Sequence, residues 1–234
     1  MGRLRLVRDF TCLYPVVAMT TIAIIGGSGP EGRGLGLRWA MAGHHIILGS
    51  RDADRAAEAA DGLAALREGI SVSGALNAEA ARAAEWVAVS VPFEGLDATV
   101  SELALHLAGK LVISVVAPLA FEEGMASAVA VPEGSAAELM QQRLPSSRVT
   151  SGFQNLSAKE LLQPDKALDG DIIICGDDEQ AKADTIGLAE AIASLRGIDG
   201  GPLANSRTVE GLTALLLYVN RKAKGRATVR LLGL

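Results

Sequence analysis

Thr21-Ile22-Ala23-Ile24-Ile25-Gly26-Gly27-Ser28-Gly29-Pro30-Glu31-Gly32 decides how the chain is read. Its first five residues are β-branched or small and carry no charge, the composition of a strand buried on both faces. Gly27, Gly29 and Gly32 then fit the G-x-G-x-x-G spacing, and an apolar-periodic helix follows from Arg33 to Ala42. At a strand-to-helix junction this pattern predicts a dinucleotide site. Gly27 makes the tight turn, Gly29 lets the backbone approach a pyrophosphate, and Gly32 lets the helix pack against the strand. The helix N-terminus offers unpaired N–H groups and a partial positive charge to the phosphates. Pro30 suits the first helical turn, where its missing N–H costs no hydrogen bond.

Downstream, a second strand is predicted at His45–Gly49, and eighteen residues past Gly32 lies Ser50. A site selective for NAD places a carboxylate near this point to bind the ribose 2′-hydroxyl. Here Ser50, Arg51 and, one helical turn on, Arg55 stand instead. A 2′-phosphate takes charge-assisted hydrogen bonds from guanidinium groups, so the predicted cofactor is NADP. Asp52 and Asp54 are expected to cap and open the following helix, Ala53–Glu68, and to point away from the phosphate.

Further strands are predicted near Ile70–Ser73, Glu85–Pro92, Leu111–Val116, Val149–Phe153 and Asp171–Cys175. Helices are predicted between them at Asn77–Ala84, Leu96–Leu107, Ser135–Gln142 and Gln180–Leu195. This alternation predicts an α/β protein with a doubly wound parallel sheet, a Rossmann-type NADP-binding fold, followed by a small C-terminal α-rich extension. The expected division is 1–20 as an N-terminal extension, 21–176 as the dinucleotide-binding domain and 177–234 as a small domain facing a second substrate. Ligands in such sheets bind at the carboxyl ends of strands. Val91, Gly95, Ala117 and Ala158 lie just past such ends, where small apolar residues suit the flat face of a nicotinamide; ordinary loop packing explains them equally. Near the end, Gly201-Pro202-Leu203-Ala204-Asn205-Ser206-Arg207 precedes a helix predicted over Thr208–Lys224. Asn205 and Ser206 either cap that helix or, with Arg207, form a polar edge toward a second substrate, and Glu210 would support the first turn.

Composition sets the outer limits. The 234 residues are 49% hydrophobic and 21% charged, enough for a folded core. A net charge of −5 argues against nucleic-acid and anionic-membrane partners. Cys12 and Cys175 stand far apart without metal-ligand spacing, which disfavours a disulfide framework or zinc site. No stretch approaches the roughly 20 apolar residues of a membrane span, and the expected location is cytoplasmic. Arg3, Arg5 and Arg8 precede a short apolar run interrupted by Asp9, a poor signal peptide. Residues 1–18 are therefore expected to be an upstream start or a loose arm, with Met19 the natural start. His44, His45 and His106 are not arranged as a triad or metal cluster, so no general acid, base or metal ligand is assigned. The apolar helix stretch Leu212–Val219 needs cover on more than one side, which predicts a homo-oligomer.

GGSGPEGRGLGLRWAMAGH (26–44), GSR (49–51), VSVPFEG (89–95), VAPLA (116–120), CGDD (175–178) and GPLANSRTVEGLTALLL (201–217) together resemble the NADPH-dependent coenzyme F420 reductases. The resemblance runs over Thr21–Leu234. It implies hydride transfer between NADP(H) and a 5-deazaflavin, C5 of the deazaflavin facing C4 of the nicotinamide, by close stacking and water exclusion with no obligatory protein acid or base. It further implies NADP contacts at Ser28, Gly29, Pro30, Glu31, Ser50, Arg51 and Arg55. Val91, Gly95, Ala117 and Ala158 would line the nicotinamide half, and the deazaflavin wall would lie near Ala227. Two other functions remain open: a non-catalytic NADPH-binding redox sensor, and an NADPH-dependent reductase of another small acceptor such as a flavin, ferric iron or an imine.

Overall fold

A computed structural model describes residues 19–234; the expectation for residues 1–18 lies outside the described residues. Strands β1 (Thr21–Ile25), β2 (His45–Ser50), β3 (Val72–Leu76), β4 (Trp86–Val89), β5 (Leu111–Ser114) and β8 (Arg148–Ser151) all pair in parallel. With β9 (Gly170–Gly176) and β10 (Leu195–Asp199) they form one eight-stranded sheet in the order β10-β9-β8-β5-β4-β1-β2-β3. Strand order reverses at β1, between β4 and β2, so the turn after β1 sits at the crevice where such sheets bind ligands.

Helices α1 (Pro30–Met41), α2 (Ala53–Leu66), α3 (Asn77–Ala83), α4 (Leu96–Leu107), α5 (Ala136–Arg143), a one-turn α6 (Ala158–Leu161), α7 (Glu179–Glu190) and α8 (Ser206–Ala223) complete the fold. Side chains alternate across β1. Ile22 and Ile24 join the core under α1 and α7, whereas Ala23 and Ile25 join the core under α3, α4 and α5. Burial on both faces explains why these strands read as unbroken apolar runs.

Three parts of the fold differ from the sequence-based expectation. First, β9 runs antiparallel to β8, with Thr150 opposite Gly176, so the sheet is not parallel throughout. Second, the helix expected to reach Leu195 ends at Glu190, and Leu195–Asp199 forms β10 beside β9. Ala-Ile-Ala continues the helical pattern in sequence, but the backbone leaves the helix at Ala191, and Ser194, at φ 70°, completes the turn into β10. Third, Leu119–Glu122 and Met125–Ala128 form an antiparallel hairpin, β6 and β7, where no strand was expected. Within the expected unit 177–234, β10 belongs to the common sheet and α8 packs against β7, α5 and β9.

Arg38 is the fold's least expected side chain. It is buried on α1, and its guanidinium donates to the carbonyls of Leu161 (2.9 Å), Glu160 (3.0 Å), Gln163 (2.6 Å) and Lys166 (2.9 Å). It thereby fastens α6 and the segment after it to α1. Gly34 permits the close approach: a Cβ there would stand 2.6 Å from the Leu161 Cβ. Below them Trp39 packs edge-on against Phe153, ring centres 5.3 Å apart, and donates to the Leu188 carbonyl.

The chain's last residues return to the sheet. Buried Asp171 accepts two hydrogen bonds from Arg196 and one from the Leu231 amide, and its own amide donates to Val229. The arginine holds its carboxyl below the ordinary carboxylate range. This fixes the tail carrying Ala227 and Thr228.

Candidate functional site

The glycine turn is held from three sides. The Gly27 amide donates to Ile24 (3.0 Å) and Gly49 (2.8 Å), the Gly26 amide to Asn77 Oδ1 (3.3 Å), and the Gly29 amide to Gly26 (3.1 Å). A Cβ on Gly32 would stand 2.8 Å from the Gly27 Cα, so that position admits only glycine without a shift of backbone. Pro30 opens α1 behind Gly29, and no side chain caps the helix. The amides of Ser28, Glu31 and Gly32 have no carbonyl partner among the described residues, which leaves three donors at the positive end of a twelve-residue helix.

At the end of β2, Ser50 is buried and its hydroxyl accepts from the Asp52 amide (3.3 Å). Asp52 Oδ1 accepts from the amides of Asp54 (2.9 Å) and Arg55 (3.2 Å), so this carboxylate caps α2 as expected. Arg51 and Arg55 are exposed, and neither guanidinium forms a hydrogen bond or ion pair with the described residues.

Beside the turn opens a cavity of about 340 Å³. Glu31 of α1, Gln154 and Ala158 beyond β8, Thr213 and Asn220 of α8, and Ala227 of the tail line it. Asn155 Nδ2 donates to the Asp171 carbonyl and to Thr228 Oγ1, both at 2.9 Å. Asn220 Oδ1 accepts from the Ala227 amide. These two asparagines clamp the tail against the opening. Gln154 Nε2 donates to the Ser114 carbonyl (3.2 Å) and to Ser151 Oγ (2.9 Å), joining the carboxyl ends of β5 and β8.

Three buried oxygens in this region lack any hydrogen-bond partner: Glu31 Oε1, Gln154 Oε1 and Ser114 Oγ. Burial pushes the Glu31 carboxyl up to about 8. Unmatched buried polar atoms call for an explanation, and a polar ligand in the cavity supplies one. Free helix amides, two unpaired arginines at the second strand and these oxygens fit a phosphate-bearing dinucleotide.

The structure brings some of the expected site residues together and sets others apart. Gly27, Ser28, Gly29, Pro30, Glu31 and Gly32 form the turn, and Ser50 follows Gly49, which bonds to it. Val91 lies against the turn, since a Cβ on Gly26 would meet Val91 Cγ1 at 2.8 Å. Gly95 precedes α4 with open space over its Cα, and Ala117 is half-buried just beyond β5. Ala158 and Ala227 line the cavity directly.

Asn205, Ser206 and Arg207 do not reach it. The first cavity-lining residue of α8 is Thr213, seven residues past Ser206 and so about 10 Å along the helix. Arg207 instead makes a two-pronged ion pair with Glu138 (2.8 and 2.6 Å). The capping expectation is corrected: neither Asn205 nor Ser206 caps α8. Asn205 Nδ2 donates back to the Gly200 carbonyl, and Ser206 Oγ is buried without a partner. Glu210 supports another helix altogether, accepting from the Ala136 and Ala137 amides at the start of α5. Burial raises its carboxyl to about 7. Of the histidines, His44 accepts from the Thr20 amide and His45 pairs with Ser71, away from the cavity.

Sequence reading missed Gln154, Asn155, Thr213 and Asn220. Gln154 and Asn155 were findable as a polar pair past a strand's carboxyl end. Asn220 directly follows the apolar run LLLYV, which is a weaker sign.

A glycine turn at the reversal of a doubly wound sheet, with arginines at the second strand, defines a dinucleotide-binding protein of the nicotinamide class. Residues 21–118 match the family described as NADP oxidoreductase, coenzyme F420-dependent. The chain is 40% identical to an F420-dependent NADP reductase of Methanocaldococcus jannaschii, over 88% of this chain and 95% of that one. It is 37% identical to one from Methanothermobacter marburgensis, over 88% and 94%. The chain belongs to the coenzyme F420-dependent NADP oxidoreductase family. Among solved structures, one from Arthrobacter sp. FB24 superposes with a TM-score of 0.78 over 92% of this chain and all of the other at 23% identity, a likeness of fold. A pyrroline-5-carboxylate reductase from Coxiella burnetii shares the fold more loosely, with a TM-score of 0.55 at 17% identity over 78% of this chain and 60% of its own.

Proposed function

We propose that this chain transfers a hydride between NADP(H) and coenzyme F420. The observation that carries the reading is its match along nearly the whole length of reductases described by that reaction. The nicotinamide would supply the hydride to C5 of the deazaflavin, and the proton that completes its reduction at ring nitrogen N1 would come from solvent, so the reading asks no side chain to act as acid. The chain's part is to bind, align and keep water out. The free amides of Ser28, Glu31 and Gly32 take the pyrophosphate, with Gly27 and Gly29 leaving room and Pro30 opening the helix. Ser50, Arg51 and Arg55 take the 2′-phosphate. Val91, Gly95, Ala117 and Ala158 line the nicotinamide, and Ala227 walls the deazaflavin. Asn205, Ser206 and Arg207 stand at the start of α8, outside this lining, and are read as an outer polar edge toward the second substrate.

The partner is read as a small molecule met in the cytoplasm, and the net charge of −5 disfavours nucleic acid. No helix among the described residues is long and apolar enough to cross a membrane. Leu215, Tyr218 and Val219 on α8 and Phe121 on the hairpin are exposed, and a second copy of the chain would cover them.

Mixing the protein with coenzyme F420 and either NADPH or NADH tests the function. Bleaching of the deazaflavin's visible band with NADPH, and little with NADH, is the expected result. Tight NADPH binding without bleaching would leave a sensor or a reductase of another acceptor. Arg51→Ala should weaken NADPH binding by about 2–3 kcal/mol and leave NADH nearly unchanged. Equal losses for the two, measured by titration, would remove the 2′-phosphate role.

A further inference from the structure

Hydride transfer leaves one half-buried carboxyl of the cavity, with one oxygen fully buried, without a task. Glu31 is the second residue of α1, immediately behind the glycine turn, and its Oε1 is buried with no partner. Gln154, Asn155 and Ser157 face it from the segment after β8, Thr213 and Asn220 from α8, and Ala227 from the tail. Lys159, exposed on α6, is the other charged residue of that lining. Arg226, next to Ala227, pairs with Glu160 at 3.4 Å. On its own helix, Arg33 Nε is buried without a partner. No ion pair reaches Glu31 among the described residues, and burial is what holds its proton on, to about pH 8.

An ionised Glu31 would carry an unpaired charge with one buried oxygen beside the amides that the dinucleotide reading gives to the pyrophosphate, and once the ligand covers the site it would repel those phosphates. We propose that Glu31 works in the dinucleotide site as the neutral acid, its hydroxyl donating a hydrogen bond to an acceptor oxygen of bound NADPH. The inference rests on the proposed dinucleotide site and adds a proton to its binding equilibrium. NADPH selects the protonated form, so binding takes up a proton once Glu31 is ionised in the free protein. Affinity is constant below the Glu31 pKa and falls toward tenfold per pH unit above it. The 2′-phosphate, with a second pKa of about 6, stays fully charged over that range.

Calorimetric titration with NADPH from pH 7.5 to 9.5 tests this on wild type and Glu31→Gln. The amide can still donate but cannot ionise. Wild-type Kd should rise roughly 20-fold across the interval, with proton uptake visible as a dependence of the heat on buffer at pH 8.5. Glu31→Gln should bind within threefold of wild type at pH 7.5, stay flat to pH 9.5 and take up no proton. Parallel pH profiles for the two proteins, or a flat wild-type profile, would overturn the inference and leave the dinucleotide site standing. No NADPH binding by wild type at pH 7.5 would overturn the site itself, and the inference with it. Unfolding without ligand gives a second readout. The folded pKa of Glu31 lies above the unfolded one, so wild type should lose stability relative to Glu31→Gln as pH rises from about 4.5 to 8. An unchanging difference between them over that interval would contradict the buried neutral acid.

Discussion

Gly29→Val is expected to abolish NADPH binding while the protein remains folded. Gly29 has φ −74° and ψ 163°, extended backbone that valine adopts readily. A Cβ there meets only the Gly26 carbonyl, at 3.4 Å, so the branched side chain projects into open space. That space adjoins the free amides of Ser28, Glu31 and Gly32, where the pyrophosphate is proposed to sit. Excluding it removes charge-assisted bonds of about 1.5–3 kcal/mol each, a loss of on the order of 100-fold or more in affinity. Gly32→Val is the informative contrast. Its Cβ would press on the Gly27 Cα at 2.8 Å, so this variant should lose stability first. Titration with NADPH beside a thermal melt separates the two effects. Full NADPH affinity in a folded Gly29→Val protein would remove the glycine turn from the site.

Arg38→Met should cost about 3–5 kcal/mol of stability, large for a single substitution. Methionine preserves much of the stem's packing but provides no donor. The carbonyls of Glu160, Leu161, Gln163 and Lys166 all lose their guanidinium bonds. The melting midpoint should fall by about 10 °C. Arg38→Lys, with one ammonium in place of a planar fork, should restore only part of it. The consequence reaches the site, because the segment that Arg38 anchors carries Ser157 and Ala158 into the cavity wall. At temperatures where Arg38→Met is folded, the KM for NADPH should rise, because Ala158 is assigned to the nicotinamide. A midpoint within 2 °C of wild type would show that α6 and its flanks hold themselves in place.

Local sequence carried much of this architecture. β1, the glycine turn and α1 are legible because strand composition, glycine spacing and helix periodicity agree over one short stretch. The cap at Asp52 was legible for the same reason: an aspartate three residues before Arg55 is a self-contained signal. What failed depended on distant partners. Arg38 looks like the polar face of a helix until residues 160–166 fold over it. Glu210 looks like first-turn support for α8, yet its hydrogen bonds go to residues 74 and 73 positions earlier in the chain. Asn205 and Arg207 keep the chemistry of a substrate edge and stand at the start of α8, outside the cavity lining. The antiparallel turn into β9 was invisible because pairing direction is decided by the connection, and residues 152–169 show no feature that fixes it in sequence. Glu31 was already an implied cofactor contact, but its unpartnered oxygen and that of Gln154 are properties of packing that sequence does not show.

Direct carbon-to-carbon hydride transfer is the central claim, and NADPH carrying deuterium at the transferred C4 position tests it most directly. C5 of a deazaflavin is carbon, so a hydride delivered there does not wash out into water. The account predicts reduced coenzyme F420 with one deuterium at C5, detected by mass spectrometry after reaction in ordinary water. Reduced coenzyme F420 without the label, or NADPH oxidation with no reduction of the deazaflavin, would contradict it.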